Sequence, residues 1–285
     1  MPSMKELREH MVERQLKARG IKDDRVLAAM GEVPRERFVP TRHHDLSYED
    51  SPLPIEEGQT ISQPYIVALM LEAAAIKAGD RVLEVGTGSG YVTAILSRLA
   101  KDVSGIEWHE ALAQLATARL EALDCGNTRV MHGDGTLGWP DRAPFDAIVV
   151  SAGGPDVPAA LLAQLAIGGR LVIPVGTEPR LQELMAITRT GEHAYDRRAL
   201  GSVQFVPLVG SEGWSLDRAH IEPHRARRPI RIGNREERRL ERLVAEGCEP
   251  FDTVTHAPLE QLLERIGSAR VVLIGESTHG TCDFY

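Results

Sequence analysis

Apolar and polar positions along the chain follow two periods, one of helices and one of strands. Leu7, Met11 and Leu16 are spaced for one face of a helix that Gly20 ends. Asp23 or Asp24 can cap a second short helix over 25–30. Pro34, Pro40, Pro52 and Pro54 then keep the chain extended and irregular as far as Ile61. A helical pattern resumes over 64–76, with Ile66, Val67, Met70 and Leu71 on one apolar face. Beyond it, short apolar runs at 81–85, 102–107, 129–132, 145–150 and 170–175 alternate with helical patterns at 91–100, 111–123 and 159–165. That alternation predicts an α/β fold, a mostly parallel sheet with helices on both faces, preceded by an N-terminal helical segment. The runs at 182–190 and 202–208 follow with no helix between them and predict an antiparallel pair at one edge.

Composition narrows the function classes. The chain has 285 residues, 42% hydrophobic and 26% charged, an ordinary globular balance for about two domains. Aromatic residues make up 5% and the net charge is −8, which gives no stacking platform for single-stranded nucleic acid and no general attraction to nucleic acid or anionic membrane. Cys125, Cys248 and Cys282 lie far apart and fit neither a disulfide framework nor a CxxC metal site, so a reducing, cytoplasmic setting is expected. The first ten residues carry no apolar signal core, and no apolar run reaches ~18 residues, so neither a signal peptide nor a membrane span is expected. His43 and His44 are adjacent, point apart and have no third ligand at a matching spacing, which predicts surface histidines and no metal site.

Charge is not spread evenly. Residues 217–242 hold nine arginines against five acidic residues, a net of +4, so the rest of the chain carries −12. Pro223, Pro229 and Gly233 break this stretch, and it contains no aromatic residue. It reads as a solvated basic linker rather than a nucleic-acid site.

The strongest chemical signal is Val82-Leu-Glu-Val-Gly-Thr-Gly-Ser-Gly90, an apolar strand running into Gly86, Thr87, Gly88, Ser89 and Gly90 before a helix. Glycines allow positive φ and close approach of a ligand to the backbone, and the helix start offers free N–H groups. Glu107 ends the next strand, 19 residues after Gly88, placed to accept from ribose hydroxyls. Asp134, in Gly133-Asp-Gly135, follows the third strand and could accept from an adenine amino group. Each acid alone is a common loop or cap residue; the three strand ends together favour an adenosine ligand. The spacing is G-x-G-x-G, and Tyr91 stands where the third glycine of a dinucleotide fingerprint would be. Glu84 just inside the turn would repel a pyrophosphate and suits the ammonium and sulfonium of S-adenosyl-L-methionine. Residues 82–175 resemble the Rossmann-like S-adenosylmethionine-dependent methyltransferases. Ser151-Ala-Gly-Gly-Pro155 after the fourth strand lacks the Asn/Asp-Pro-Pro-aromatic motif of members that methylate bases or glutamine, which counts against those acceptors.

Several longer motifs resemble the protein-L-isoaspartate O-methyltransferases: Val33-Pro-Arg-Glu-Arg-Phe38-Val-Pro, Leu53-Pro-Ile-Glu-Glu-Gly-Gln-Thr-Ile-Ser-Gln-Pro-Tyr65, Pro144-Phe-Asp-Ala-Ile-Val-Val-Ser-Ala152, the 165–176 stretch, Gly201-Ser-Val-Gln-Phe-Val-Pro-Leu-Val-Gly210 and Gly213-Trp214. The resemblance spans residues 1–214. It implies methyl transfer from S-adenosyl-L-methionine to the free carboxylate of L-isoaspartyl residues in damaged proteins, with Ser62 as the active-site hydroxyl and Thr60, Ile61 and Gln63 gripping the substrate main chain. The competing reading makes Ser62 an N-cap, since Pro64 falls in the first turn of the following helix. The acceptor carboxylate is ionised near neutrality, so no strong general base and no catalytic triad are expected, only placement and partial desolvation. A monomer is expected.

Val271-Val-Leu-Ile-Gly-Glu-Ser-Thr-His-Gly280 resembles the opening motif of the erythromycin-esterase-like family, which implies active-site roles for Glu276 and His279. The sequence stops six residues after His279, so residues 247–285 read as an incomplete fragment without esterase activity, joined by the linker 215–246 to a catalytic domain 1–214. Two rival readings stay open: methylation of a small molecule on the same fold, and a nucleoside-binding module without turnover.

Overall fold

The chain, in this computed structural model, is described over residues 2–178 and 181–215. The expectations for the linker beyond residue 215 and for 247–285, with Glu276 and His279, lie outside the described residues.

The first helix, α1 (Met4–His10), opens on a capping box, Ser3 and Glu6 each accepting the other's backbone N–H. Its path continues through a wide turn, Met11–Leu16, and a tight one, Lys17–Arg19, to Gly20, whose φ of 100° stops it as expected. The second helix, α2 (Asp24–Glu32), is capped by Asp23, whose carboxylate accepts from the N–H groups of Arg25 and Val26. The irregular stretch that follows contains 3-10 turns and a small hairpin, β1 (Leu53–Pro54) paired antiparallel with β2 (Thr60–Ile61). Then come α3 (Pro64–Ala74), β3 (Arg81–Val85), α4 (Tyr91–Leu99), β4 (Asp102–Glu107), α5 (Glu110–Glu121), β5 (Thr128–His132), β6 (Phe145–Val150), α6 (Ala159–Gln164), β7 (Leu165–Glu178), β8 (Leu181–Arg189) and β9 (Tyr195–Val203).

One seven-stranded sheet carries the fold, in the order β5-β4-β3-β6-β7-β8-β9. The first five strands of that order run parallel, and β8 and β9 continue it antiparallel. Both faces are apolar. Val82, Val103, Ala147 and Val149 pack with the N-terminal helices, α3 and α4, while Leu83, Val85, Ile106, Ile148 and Leu161 form the core on the other face. Strand order reverses at β3, which lies between β4 and β6. Such a switch point opens a crevice at the carboxyl ends of the strands, and the glycine segment leaves β3 there.

One expectation needs correction. The edge strand is β9 at Tyr195–Val203, not 202–208. Most of β9 faces water, so it carries no apolar pattern for a sequence reading to detect. The apolar run after it instead crosses the sheet end: Leu208 N–H donates to Gly153 O, Gly153 N–H to Val206 O, and the Trp214 indole to Gly153 O at 2.9 Å. His43 and His44 lie partly exposed in the turn Thr41–Leu46.

Candidate active site

The turn after β3 is built to be narrow. Gly86, Gly88 and Gly90 have φ of 82°, 54° and 94°, values that side chains with a Cβ disfavour. Gly86 and Thr87 donate their N–H groups to Ile106 O, and Gly90 donates to Thr87 O. Thr87 and Ser89 are buried. Gly105, on the neighbouring strand, leaves the space Thr87 needs, since a Cβ there would lie 2.6 Å from Thr87 Oγ1. The loop is thus fixed to the end of β4, with α4 starting behind it.

Glu84 sits beneath this turn with 1% of its surface exposed. Its Oε2 accepts the hydroxyl of Thr93 from α4, and its Oε1 accepts that of Ser151 at 3.3 Å. Burial pushes its carboxyl up to about 8; the two hydroxyls pull the other way, and the charge of Glu107 adds to the rise. A nearby cation restores the ionised form, so this buried acid suits a positively charged ligand. Ser151, the first residue of the segment that replaces the Asn/Asp-Pro-Pro-aromatic motif, therefore bonds to the acid under the loop.

Glu107, 5% exposed, bridges the loop and the start of α5: Oε2 accepts Gly88 N–H at 2.7 Å and Oε1 accepts His109 N–H at 2.9 Å. Asp134 is more heavily committed. Its Oδ1 accepts the N–H and hydroxyl of Thr136, at 2.9 and 2.6 Å, and its Oδ2 accepts those of Ser211, at 2.7 and 2.8 Å. Burial alone would raise its pKa, but these four hydrogen bonds outweigh it and hold the group below the usual carboxylate value. Four bonds fill its acceptor sites, so a hydrogen bond from adenine has to displace or share one of them.

The hairpin β1–β2 leans on the glycine turn. A Cβ on Gly88 would lie 3.6 Å from Ile55 Cδ1. Arg119 of α5 ties the two segments, Nη2 to Glu56 Oε1 at 3.3 Å and Nη1 to Ser89 O at 3.4 Å. His109 approaches Glu57 at 3.9 Å. Ser62 leaves this hairpin half-buried. The capping reading of Ser62 is corrected: Gln63 is the N-cap of α3, and the Ser62 hydroxyl makes no hydrogen bond among the described residues. Thr60 is exposed, whereas Ile61 packs in the core and Gln63 is buried. What Ile61 can offer a substrate is its backbone.

Several residues at this site carried no pattern in the sequence. Asp50, inside the irregular stretch, accepts from Tyr65 N–H and the Gln63 amide. Arg35 is wholly buried, its Nε donates to Ser47 O, and its guanidinium lies 4.9 Å from the Tyr91 ring. The motif containing Arg35 was visible in sequence, but a buried guanidinium against the first residue of α4 was not. Among the described residues no group of three or more metal-ligating side chains occurs.

The switch-point crevice and its glycine turn place the chain in the class of S-adenosylmethionine-dependent methyltransferases, and comparison with known proteins agrees. The match to the family described as Protein-L-isoaspartate(D-aspartate) O-methyltransferase runs over residues 6–213. The chain belongs to that family. It is 54% identical over 226 residues to Protein-L-isoaspartate O-methyltransferase 1 of Rhodopseudomonas palustris, covering 79% of this chain and 91% of that one. It is 58% identical over 207 residues to Protein-L-isoaspartate O-methyltransferase 2 of Pelobacter propionicus, covering 73% and 92%. Among solved structures, the putative protein-L-isoaspartate O-methyltransferase of Plasmodium falciparum, in complex with S-adenosyl-L-homocysteine, superposes with a TM-score of 0.62 at 29% identity, covering 73% of this chain and 99% of that one. The chain is a protein carboxyl O-methyltransferase whose cofactor is S-adenosyl-L-methionine.

Proposed function

We propose that this protein methylates the free carboxylate of L-isoaspartyl residues, with Ser62 positioning that carboxylate. The family match over residues 6–213 carries the acceptor, and the Ser62 hydroxyl, free of any cap role beside the hairpin packed against the glycine turn, supports its placing role. An isoaspartyl link leaves an α-carboxylate free and ionised near neutrality, so the acceptor needs no base. It needs alignment with the methyl donor and loss of part of its water. When bound, S-adenosyl-L-methionine supplies an electrophilic methyl on a sulfonium. Gly86, Thr87, Gly88, Ser89 and Gly90 surround its place with backbone, Glu84 favours its positive charge, Glu107 accepts from its ribose hydroxyls and Asp134 lies toward its adenine. Thr60, Ile61 and Gln63 hold the substrate main chain, Ile61 through its backbone.

The proposal also takes residues 1–214 as the catalytic domain, 215–246 as a basic linker and 247–285 as an erythromycin-esterase-like segment. It places the protein in the cytoplasm as a monomer that acts on damaged proteins and peptides, without nucleic-acid or membrane partners. Among the described residues no helix is long and apolar enough to cross a membrane. Two peptides test the acceptor: one isoaspartyl, the other identical with its free α-carboxylate amidated. Methylation of the first alone is expected; equal transfer to the amidated peptide rules out that carboxylate as acceptor.

A further inference from the structure

The residues that fix Ser62 in place lie on both sides of it in the chain. On its N-terminal side, β2 is paired to β1 through Leu53–Ile61 and Pro54–Thr60. On its C-terminal side, α3 begins with Gln63 as N-cap, and that side chain caps nothing. Pro64 has no N–H, so Tyr65 N–H is the first helix donor in need of a partner. Asp50 supplies it from thirteen or more residues upstream: Oδ1 accepts Tyr65 N–H at 3.0 Å. Its Oδ2 accepts the Gln63 amide at 2.8 Å, and its backbone carbonyl accepts the same amide at 2.9 Å. Arg19 pairs with the Asp50 carboxylate and lays its guanidinium 3.8 Å from the Tyr65 ring centroid. One side chain therefore holds both residues 63 and 65.

We infer that Asp50 is a positioning residue for the methyl transfer: it caps α3 from another segment, which fixes the backbone at Ser62 and leaves the Ser62 hydroxyl free for the substrate carboxylate. A serine at the mouth of a helix ordinarily turns its hydroxyl to the helix N–H groups. Here the carboxylate of Asp50 occupies that place. The inference rests on the proposed role of Ser62, and it adds a residue that touches neither cofactor nor the reacting atoms.

A double-mutant cycle tests it. Asp50→Asn keeps the shape but turns an amide donor or a neutral oxygen toward Gln63 and Arg19. With an isoaspartyl peptide, Asp50→Asn is expected to lower kcat by about tenfold, with cofactor Kd unchanged within about twofold. In a Ser62→Ala background the same substitution is expected to change kcat by no more than about twofold, because its effect passes through Ser62. Arg19→Gln, at a more exposed position, is expected to give a smaller loss with the same dependence on Ser62, and it carries the test if Asp50→Asn does not fold. Equal losses in both backgrounds, or a parallel loss of cofactor binding, overturn the inference. If Ser62→Ala alone leaves kcat intact, the role of Ser62 fails first, whatever Asp50→Asn does.

Discussion

The backbone N–H of Gly88 donates to Glu107 Oε2 at 2.7 Å, joining the glycine turn to the end of the neighbouring strand. The same carboxylate holds His109 N–H, so it shapes the crevice while keeping acceptor capacity for a ligand. Removing it should cost both functions. Glu107→Ala is expected to raise the dissociation constant for S-adenosyl-L-homocysteine about 10–100-fold, as for loss of hydrogen bonds to a charged group. Calorimetric titration checks this, and an unchanged constant counts against a ribose role.

Glu84 gives the site a pH dependence with a definite sign. Its folded pKa, about 8, is above the ordinary value of 4.5. The folded protein therefore binds one proton more than the unfolded chain between those values. The stability this contributes is fully present below about 4.5 and is lost as pH rises through about 8. The slope is at most ~1.4 kcal/mol per pH unit. Urea unfolding at several pH values should show the wild type losing stability relative to Glu84→Gln across that window.

Cofactor binding should run in the opposite direction. A cationic ligand favours the ionised form of Glu84, so binding expels the proton and affinity rises with pH up to about 8. In Glu84→Gln this rise should vanish. An equal rise in the variant would place its source elsewhere.

Ser62→Ala separates two roles by two readouts. A lost N-cap costs ~1 kcal/mol of stability, but Ser62 caps nothing here. The variant is therefore expected to melt with the wild type while kcat/KM for an isoaspartyl peptide falls about tenfold and cofactor affinity stays the same. A lowered melting temperature with full activity would restore the capping role.

Asp134 should behave chiefly as a clamp. It caps the turn Gly135–Leu137 and holds the backbone and hydroxyl of Ser211. Asp134→Ala is expected to lower stability by about 1–2 kcal/mol and to speed proteolysis near Ser211. Loss of cofactor affinity with wild-type stability would instead make adenine its main partner.

How much of this was legible in the sequence follows from how far apart the interacting residues lie. β3, β4 and β6 occupy their expected residues because each has a buried centre of apolar residues bounded by turns, which Glu84 and Ser104 interrupt without hiding. Gly86, Gly88 and Gly90 were legible because positive φ restricts residue choice at each position. The Asp50 contacts with Gln63 and Tyr65 were not, since they join an irregular segment to a helix start with no periodicity between. Nor was the raised pKa of Glu84, which comes first from its burial, against the opposing hydrogen bonds of Thr93 and Ser151 from two other elements. The edge strand β9 was misplaced because its solvated residues carry no apolar signal.

The central claim is selectivity for the isoaspartyl link. Methyl-labelled S-adenosyl-L-methionine, supplied with two peptides that differ only in Asp versus isoAsp, tests it most directly. Base-labile label is expected on the isoaspartyl peptide alone. Label on both to the same extent, or on neither, would contradict it.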